Sequence, residues 1–153
     1  MVTVRNIMRD DYPYLSLLMG ELGYPASSGE IESRFYKISH HDDYQSLVAV
    51  TGDNEVAGFI GLIKNHYFEH NGCYVRVGAL VVGEKFRNLG IGKKLIQEAE
   101  NWAAYIGATA ILLNSGNREE RLGAYAFYQK MGFVVKSHGF VKYLDPADRG
   151  SVV

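Results

Sequence analysis

The chain has 153 residues, of which 47% are hydrophobic and 22% charged, values typical of one soluble globular domain with a substantial core. The formal net charge of −1 gives no general attraction to nucleic acid or to an anionic membrane, so we expect neither as a partner. No apolar run reaches membrane-spanning length, no signal-peptide layout is present, and the single cysteine, Cys73, excludes an internal disulfide, which together favour a cytoplasmic protein.

The first predicted elements are a strand and two helices. Alternating apolar residues predict the strand at residues 2–7. The first helix begins near residues 9–11, where Arg9-Asp10-Asp11 supplies an N-cap candidate, and Gly23 ends it. Ser27 or Ser28 begins the second helix, which bears Ile31, Phe35 and Ile38 and ends at Asp42-Asp43.

The rest of the chain alternates strands with helices. The predicted strands lie at residues 44–50, 56–65, 73–82, 109–113, 133–136 and 140–144, and the later helices at 91–106 and 119–131. This order predicts an α/β fold with a mixed, mostly antiparallel sheet of about seven strands and four helices. We expect a single domain over residues 1–144 and a frayed tail over residues 145–153.

A glycine-rich turn between a buried strand and an amphipathic helix carries the strongest functional signal. A helix N-terminus presents unpaired N–H groups and the positive end of the helix dipole. Gly90 and Gly92 allow a ligand to approach that backbone, and Arg87, Lys93 and Lys94 add positive charge. The pattern indicates a phosphate or pyrophosphate site, and the alternative is a tight turn with solvated lysines.

Two known phosphate-binding fingerprints do not match this turn, and a third pattern does. It fails the P-loop pattern, which needs Gly-Lys-Ser/Thr, and the Rossmann pattern, which needs a third glycine where Leu95 stands. The segment Arg87-Asn88-Leu89-Gly90-Ile91-Gly92 instead resembles the acetyl-CoA pyrophosphate loop of the GNAT superfamily of N-acetyltransferases.

Three further segments strengthen that resemblance. Residues 121–133 are similar to the late signature of the superfamily, Ala-x-x-Phe-Tyr-x-x-x-Gly-Phe. Residues 22–25 and 137–142 resemble members that act on small amines, aminoalkylphosphonates or aminoglycosides. The predicted element order is similar to the GNAT fold over nearly the whole chain.

The resemblance implies acetyl-CoA as cosubstrate and a sheet that splays between its fourth and fifth strands. It assigns three backbone positions, Leu80, Val81 and Val82, to the pantetheine, and an N–H near Leu80 or Val81 to the oxyanion. The residues that it assigns to the pyrophosphate are Arg87, Asn88, Leu89, Gly90, Ile91, Gly92 and Lys93. Asn114 would support the pantetheine, or is a plain loop asparagine. Tyr128 would be the general acid for the thiolate, or a tyrosine that packs in the core.

The general base is where this chain departs from the family. Many relatives carry a glutamate on the central strand, whereas residues 76–79 here contain no carboxylate. The candidates are Glu69, which we select, and His66, Glu84 and Glu21. An amine that is already neutral at the working pH would need no base.

One motif points away from this chemistry. Residues 66–70 spell the zinc-peptidase pattern H-x-x-E-H, but that motif requires a helix, and a predicted strand and turn flank it here. We therefore expect no metal. The predicted function is acetyl-CoA-dependent N-acetyl transfer to a primary amine of a small molecule, by direct attack in a ternary complex. The alternatives are a non-catalytic acyl-CoA-binding module and a protein lysine or N-terminal acetyltransferase, and the resemblance allows a homodimer.

Overall fold

The computed structural model describes residues 1–115, 122–145 and 147–148, and the chain divides into two compact units, residues 1–113 and 114–153. The first unit is a sheet covered by helices on both faces, and the second contains the last helix. The predicted start of the last helix at residue 119 and most of the predicted tail lie outside the described residues. The prediction of a single domain over residues 1–144 stays a prediction.

The sheet of the first unit has the strand order β1-β2-β3-β4-β5. Its strands are β1 (Val2–Asn6), β2 (Tyr44–Thr51), β3 (Val56–His66), β4 (Cys73–Val82) and β5 (Ile111–Leu113). Neighbouring strands are antiparallel except for β4 and β5, which are parallel. A mixed, mostly antiparallel sheet is confirmed.

The helices of the described residues are α1 (Tyr12–Leu22), α2 (Ser28–Ile38), α3 (Ile91–Tyr105) and α4 (Leu122–Lys130), so the prediction of four helices is confirmed. Their ends follow local chemistry. Ser27 caps α2, because its side chain accepts from the N–H of Glu30 at 3.1 Å. Gly23 ends α1 in the left-handed conformation, with φ of 103°.

The sheet alternates its side chains between two helical layers. Phe59, Val48 and Val81 face α1 and α2, where Leu15 and Phe35 complete a buried cluster. Gly58 faces the opposite layer, since a Cβ there would lie 3.2 Å from Leu95 of α3. Helices α1 and α2 therefore cover one face of the sheet, and α3 covers the other.

The prediction of about seven strands is wrong, since the sheet has five strands among the described residues. Residues 133–136 and 140–144 pair with no strand there. Their apolar pattern is typical of a strand, but a strand forms only against a neighbour that accepts its hydrogen bonds. The second unit has no such neighbour among its described residues, and Val135 and Phe140 stay exposed.

Candidate functional site

The segment between β4 and α3 has an irregular backbone that exposes its amides. A single 3₁₀ turn at Glu84–Phe86 follows β4, and Arg87 is extended. Asn88 then takes a left-handed conformation with φ of 65°, and Gly90, the N-cap of α3, takes another with φ of 79°. Such alternation of backbone conformation turns successive N–H groups toward one side, as in anion-binding nests.

The N–H groups of this segment are available to a ligand. Within the described part of the chain, none of the backbone N–H groups of residues 88–93 donates a hydrogen bond, and the first paired amide is that of Lys94, which donates to the Gly90 carbonyl at 3.1 Å. A Cβ built on Gly90 would meet nothing within 4 Å, so the approach to these amides is open. The segment, hereafter the amide cradle (residues 88–93), therefore satisfies the backbone requirement for a pyrophosphate site.

Only some of the nearby cations remain for such a ligand. Lys85 forms an ion pair with Glu55 at 2.8 Å, which raises the pKa of Lys85 by a hydrogen bond and by charge attraction. Lys94 donates to the carbonyl of Val2 instead of facing the cradle. Arg87 and Lys93 are exposed and form no ion pair with any described residue, so these two supply the local positive charge.

Among the described residues, one edge of the end of β4 has no strand paired with it. β5 pairs with β4 only from Val75 to Val77, and the register with β5 ends there. On the other side, the Gly83 N–H donates to the Ala57 carbonyl at 2.8 Å, which fixes the phase of the β3–β4 ladder. Because hydrogen-bonded pairs alternate along an antiparallel ladder, the backbone groups of Leu80 and Val82 point away from β3.

A β-bulge in β4 lies between the segment that pairs with β5 and the outward backbone groups of Leu80 and Val82. Gly61 pairs with Ala79 and Leu62 with Val77, so Gly78 has no opposite residue on β3. A bulge bends a strand and increases its twist. Strand β4 therefore changes direction at Gly78, just before Leu80 and Val81, the two residues of which one would supply the oxyanion N–H according to the family resemblance.

A cavity of about 250 Å³ opens beside this bulge, on the face covered by α1 and α2. Ala79 and Gly78 form one end of it, and Phe35 and Ile31 of α2 form its wall. Its volume is slightly below the range of most small-molecule pockets. The first unit thus has a half-open cavity beside the second half of β4 and the amide cradle just after the end of β4.

The floor of the cavity comes from a cross-strand row of small side chains. Ser46, Gly61 and Ala79 lie opposite one another on β2, β3 and β4. A Cβ on Gly61 would already approach the Phe59 ring to 3.3 Å. No local sequence pattern predicts this cavity, because the three residues become neighbours only through the strand register.

The predicted general bases lie at the two ends of β4. Glu69 and His66 lie at the β3–β4 connection, and Leu80 lies seven residue steps along β4 from Cys73, a span of roughly 23 Å. At the other end, the Glu21 carboxylate accepts from the Glu84 N–H at 3.0 Å. The role of Glu69 stays a prediction, and this separation weighs against a direct proton transfer by it.

The zinc-like motif occupies the end of β3 and a bend, not a helix. In the described ranges, no three His, Cys, Asp or Glu side chains are placed to share a metal ion. None of the described helices is long and apolar enough to cross a membrane. Cys73 is buried, and its Sγ lies 3.8 Å from the Ile106 carbonyl oxygen.

The second unit holds the remaining predicted site residues. Tyr128 lies on α4, half-buried, with its ring 5.5 Å from that of Phe127 and 5.9 Å from that of Phe133. Asn114 directly follows the last residue of β5 and is exposed. The roles of both residues stay predictions.

Known proteins resemble this chain in sequence and in fold. The model of the acetyltransferase (GNAT) family matches residues 1–133. An uncharacterised N-acetyltransferase, YhdJ of Bacillus subtilis (strain 168), is 28% identical over 142 residues, which are 92% of this chain and 94% of that protein. A crystal structure of a GNAT family acetyltransferase from Staphylococcus aureus subsp. aureus USA300_TCH1516 is 32% identical, with a TM-score of 0.80 over 94% of this chain and 98% of that one. The glucosamine-6-phosphate N-acetyltransferase of Arabidopsis thaliana, 22% identical, has the same fold, with a TM-score of 0.79 over 95% and 99% of the two chains.

Proposed function

The chain belongs to the acetyltransferase (GNAT) family, and from that premise we propose that it transfers the acetyl group of acetyl-CoA to a primary amine of a small molecule in a ternary complex. The observation that carries the proposal is the amide cradle. Six consecutive N–H groups without a partner among the described residues, at the N-terminus of a 15-residue helix, match the charge and length of a diphosphate.

The residues present fit acetyl-CoA along its length. The amides of residues 88–93 would hold the diphosphate, with Arg87 and Lys93 neutralising its charge. The outward backbone groups of Leu80 and Val82 would pair with the pantetheine amides as an added strand, and Val81 would continue that edge. Asn114 would hydrogen-bond the pantetheine from the end of β5.

Bound acetyl-CoA supplies an activated acetyl group: the amine nitrogen bonds to the acetyl carbon, the carbon–sulfur bond breaks, and the thiolate leaves with the electron pair. The backbone N–H near Leu80 donates to the carbonyl oxygen, where negative charge develops. Tyr128 gives its phenolic proton to the sulfur and regains one from water. The amine would reach the site neutral, having released one proton to solvent, and its nitrogen would release a second proton to water as the tetrahedral intermediate collapses to the amide, which balances the proton given to the sulfur.

In the proposed reaction, the cavity would let the amine react without a carboxylate on β4. Its described lining is apolar apart from the Arg34 guanidinium and the hydroxyls of Tyr44 and Ser46. Apolar surroundings and a nearby cation both disfavour the ammonium form, so they lower the pKa of a bound amine. We therefore expect kcat/KM to rise with pH until the free amine is deprotonated.

Calorimetry with CoA and with pantetheine, which lacks the diphosphate, tests the proposal. We expect CoA to bind at least about tenfold more tightly, because pantetheine forfeits the charge-assisted bonds of the cradle. Release of free thiol from acetyl-CoA with an amine panel is the second arm. Equal affinity for the two ligands, or no binding of either, would overturn the assignment.

Other parts of the proposal rest on sequence. The lone, buried Cys73 supports a reducing, cytoplasmic location. A homodimer, and the absence of nucleic-acid and membrane partners, stay predictions. A half-open cavity of about 250 Å³, in place of an extended groove, favours a small acceptor over a protein.

A further inference from the structure

The cavity beside the β4 bulge lies where the acceptor of the proposed reaction must enter. Gly78 and Ala79 line it, and the next residue, Leu80, carries the outward backbone groups proposed to hold the acetyl carbonyl. Because the cavity lining ends at Ala79, one residue before Leu80, an amine bound in the cavity would lie next to the proposed position of the acetyl carbon.

The cavity wall selects an apolar body. Phe35 stacks on Tyr12 at 5.5 Å and meets Phe59 edge-on at 5.9 Å, so the aromatic wall is held in place from two sides. Ile31 and Ile38, each about one helical turn from Phe35 on α2, extend it on either side. Burying an aliphatic or aromatic side chain against this wall would provide most of the binding free energy.

The charge at the cavity selects an anion. Arg34 is the one charged residue among those that line it, and its nearest carboxylate, Glu30, is 4.0 Å away on the same helix. Such an exposed pair one turn apart contributes little, so a ligand can displace it. The side chain of Arg34 is 49% exposed, which leaves its guanidinium at the rim.

A second guanidinium stands on the same face. Arg76 pairs across the sheet with Ile63, which pairs with Tyr44, and both of those residues line the cavity. Paired residues share a face of the sheet, so Arg76 lies on the cavity side. It forms no ion pair within the described ranges. A polycationic acceptor would meet two cations here and no lining carboxylate.

We propose that the acceptor is a small apolar amine that carries a carboxylate, an amino acid with an aliphatic or aromatic side chain or a close derivative, with the carboxylate on Arg34 and the side chain against Phe35. The inference rests on the proposed acetyl transfer and names its substrate class. The step is the transfer described above, with the α-amino nitrogen as the atom acetylated.

The experiment compares matched acceptors in the thiol-release assay. The pairs are L-phenylalanine with L-phenylalaninamide, which removes the negative charge, and L-leucine with glycine, which removes the apolar body; kanamycin and spermidine represent polycations. We expect kcat/KM to be at least about tenfold higher for the first member of each pair, as a charge-assisted contact or a buried aliphatic side chain predicts. Thiol release that favours the amide or the polycations would overturn the inference and leave the acetyl transfer intact.

Two variants of one helix locate the contact. Arg34→Gln should raise the KM for phenylalanine about tenfold, while the KM for acetyl-CoA and that for phenylalaninamide stay unchanged. Lys37→Gln, the same change of charge on α2 outside the cavity lining, should change none of them more than about twofold. Equal effects of the two variants would reduce Arg34 to a general field and overturn its assigned contact.

A binding measurement keeps the inference testable without turnover. If no amine releases thiol, calorimetry of phenylalanine and its amide with the CoA-loaded protein gives the same comparison. A preference for the carboxylate that Arg34→Gln removes supports the cavity assignment, and equal binding or none overturns it. Loss of CoA binding itself would mark failure of the proposed function instead.

Discussion

The amide cradle and the cavity lie near the same end of β4, but backbone groups form the cradle and side chains form the cavity. The cradle is backbone, supplied by six consecutive residues whose side chains matter mainly through the conformations they allow. The cavity is built of side chains from α1, α2 and three strands. The difference predicts which changes each region tolerates: the cradle fails when its backbone is strained, and the cavity fails when volume or charge changes.

The largest effect should fall on turnover and on neither binding region. Tyr128→Phe removes the proposed proton donor, so we expect kcat to fall about 100-fold with little change in the affinity for CoA. Tyr125→Phe is the control, since Tyr125 lies on α4 and its hydroxyl contacts the Ser115 carbonyl at 3.4 Å. Steady-state kinetics and calorimetry measure both. An equal loss in the two variants, or none in Tyr128→Phe, would remove the role of Tyr128.

Filling the cavity should separate the acceptor from the donor. Ser46→Leu places an isobutyl group on the cavity floor, so we expect the KM of the acceptor to rise more than about tenfold while CoA still binds. Gln45→Leu adds a similar side chain on the neighbouring residue, which faces the opposite side of the sheet. The control should keep its acceptor KM within about threefold. A parallel loss of CoA affinity in Ser46→Leu would show that the two regions are not independent.

Straining the cradle should do the reverse. Gly90→Ala forces a Cβ into the left-handed region at φ of 79°, so we expect CoA affinity to fall roughly fivefold as the amides move. Gly107→Ala imposes the same strain after the other end of α3, where φ is 73° and a Cβ also meets nothing within 4 Å. Both variants should lose similar thermal stability. If both also lose the same CoA affinity, the effect belongs to helix stability and not to the cradle.

The same contrast explains what could be predicted from the sequence. The residues of the cradle are contiguous in the sequence, so the spacing of Arg87, Gly90 and Gly92 is enough to predict it. The cavity needs the β2–β3–β4 register, and the Gly78 bulge shifts that register by one residue, which no local pattern reveals. The predicted strand at 73–82 matches β4 residue for residue. The prediction of strands at residues 133–136 and 140–144 was wrong, because apolar alternation indicates that a segment suits a sheet and not that a neighbouring strand is present.

The smallest effect on either ligand should come from a buried pair remote from both regions. Asp11, 4% exposed, accepts from Arg5 at 2.7 and 2.9 Å and from the Met8 N–H at 2.7 Å, which ties β1 to the start of α1. Burial raises the pKa of Asp11, but these hydrogen bonds outweigh it, and the pKa lies below its usual value. A depressed pKa stabilises the fold at pH values above the unfolded-state pKa, about 3.9.

Asp11→Asn should therefore lower the free energy of unfolding by about 2 kcal/mol at pH 7, since it leaves a partly buried guanidinium without its charge partner. The difference from the parent protein should shrink as the pH falls through the pKa of folded Asp11, because the protonated carboxyl also lacks that charge. Denaturant unfolding between pH 7 and pH 3 measures both values, and the exposed neighbour, in Asp10→Asn, is the control. A difference independent of pH would mean that shape, not charge, holds this corner. Unchanged affinities for CoA and acceptor would then show that neither region depends on how α1 is anchored at its far end.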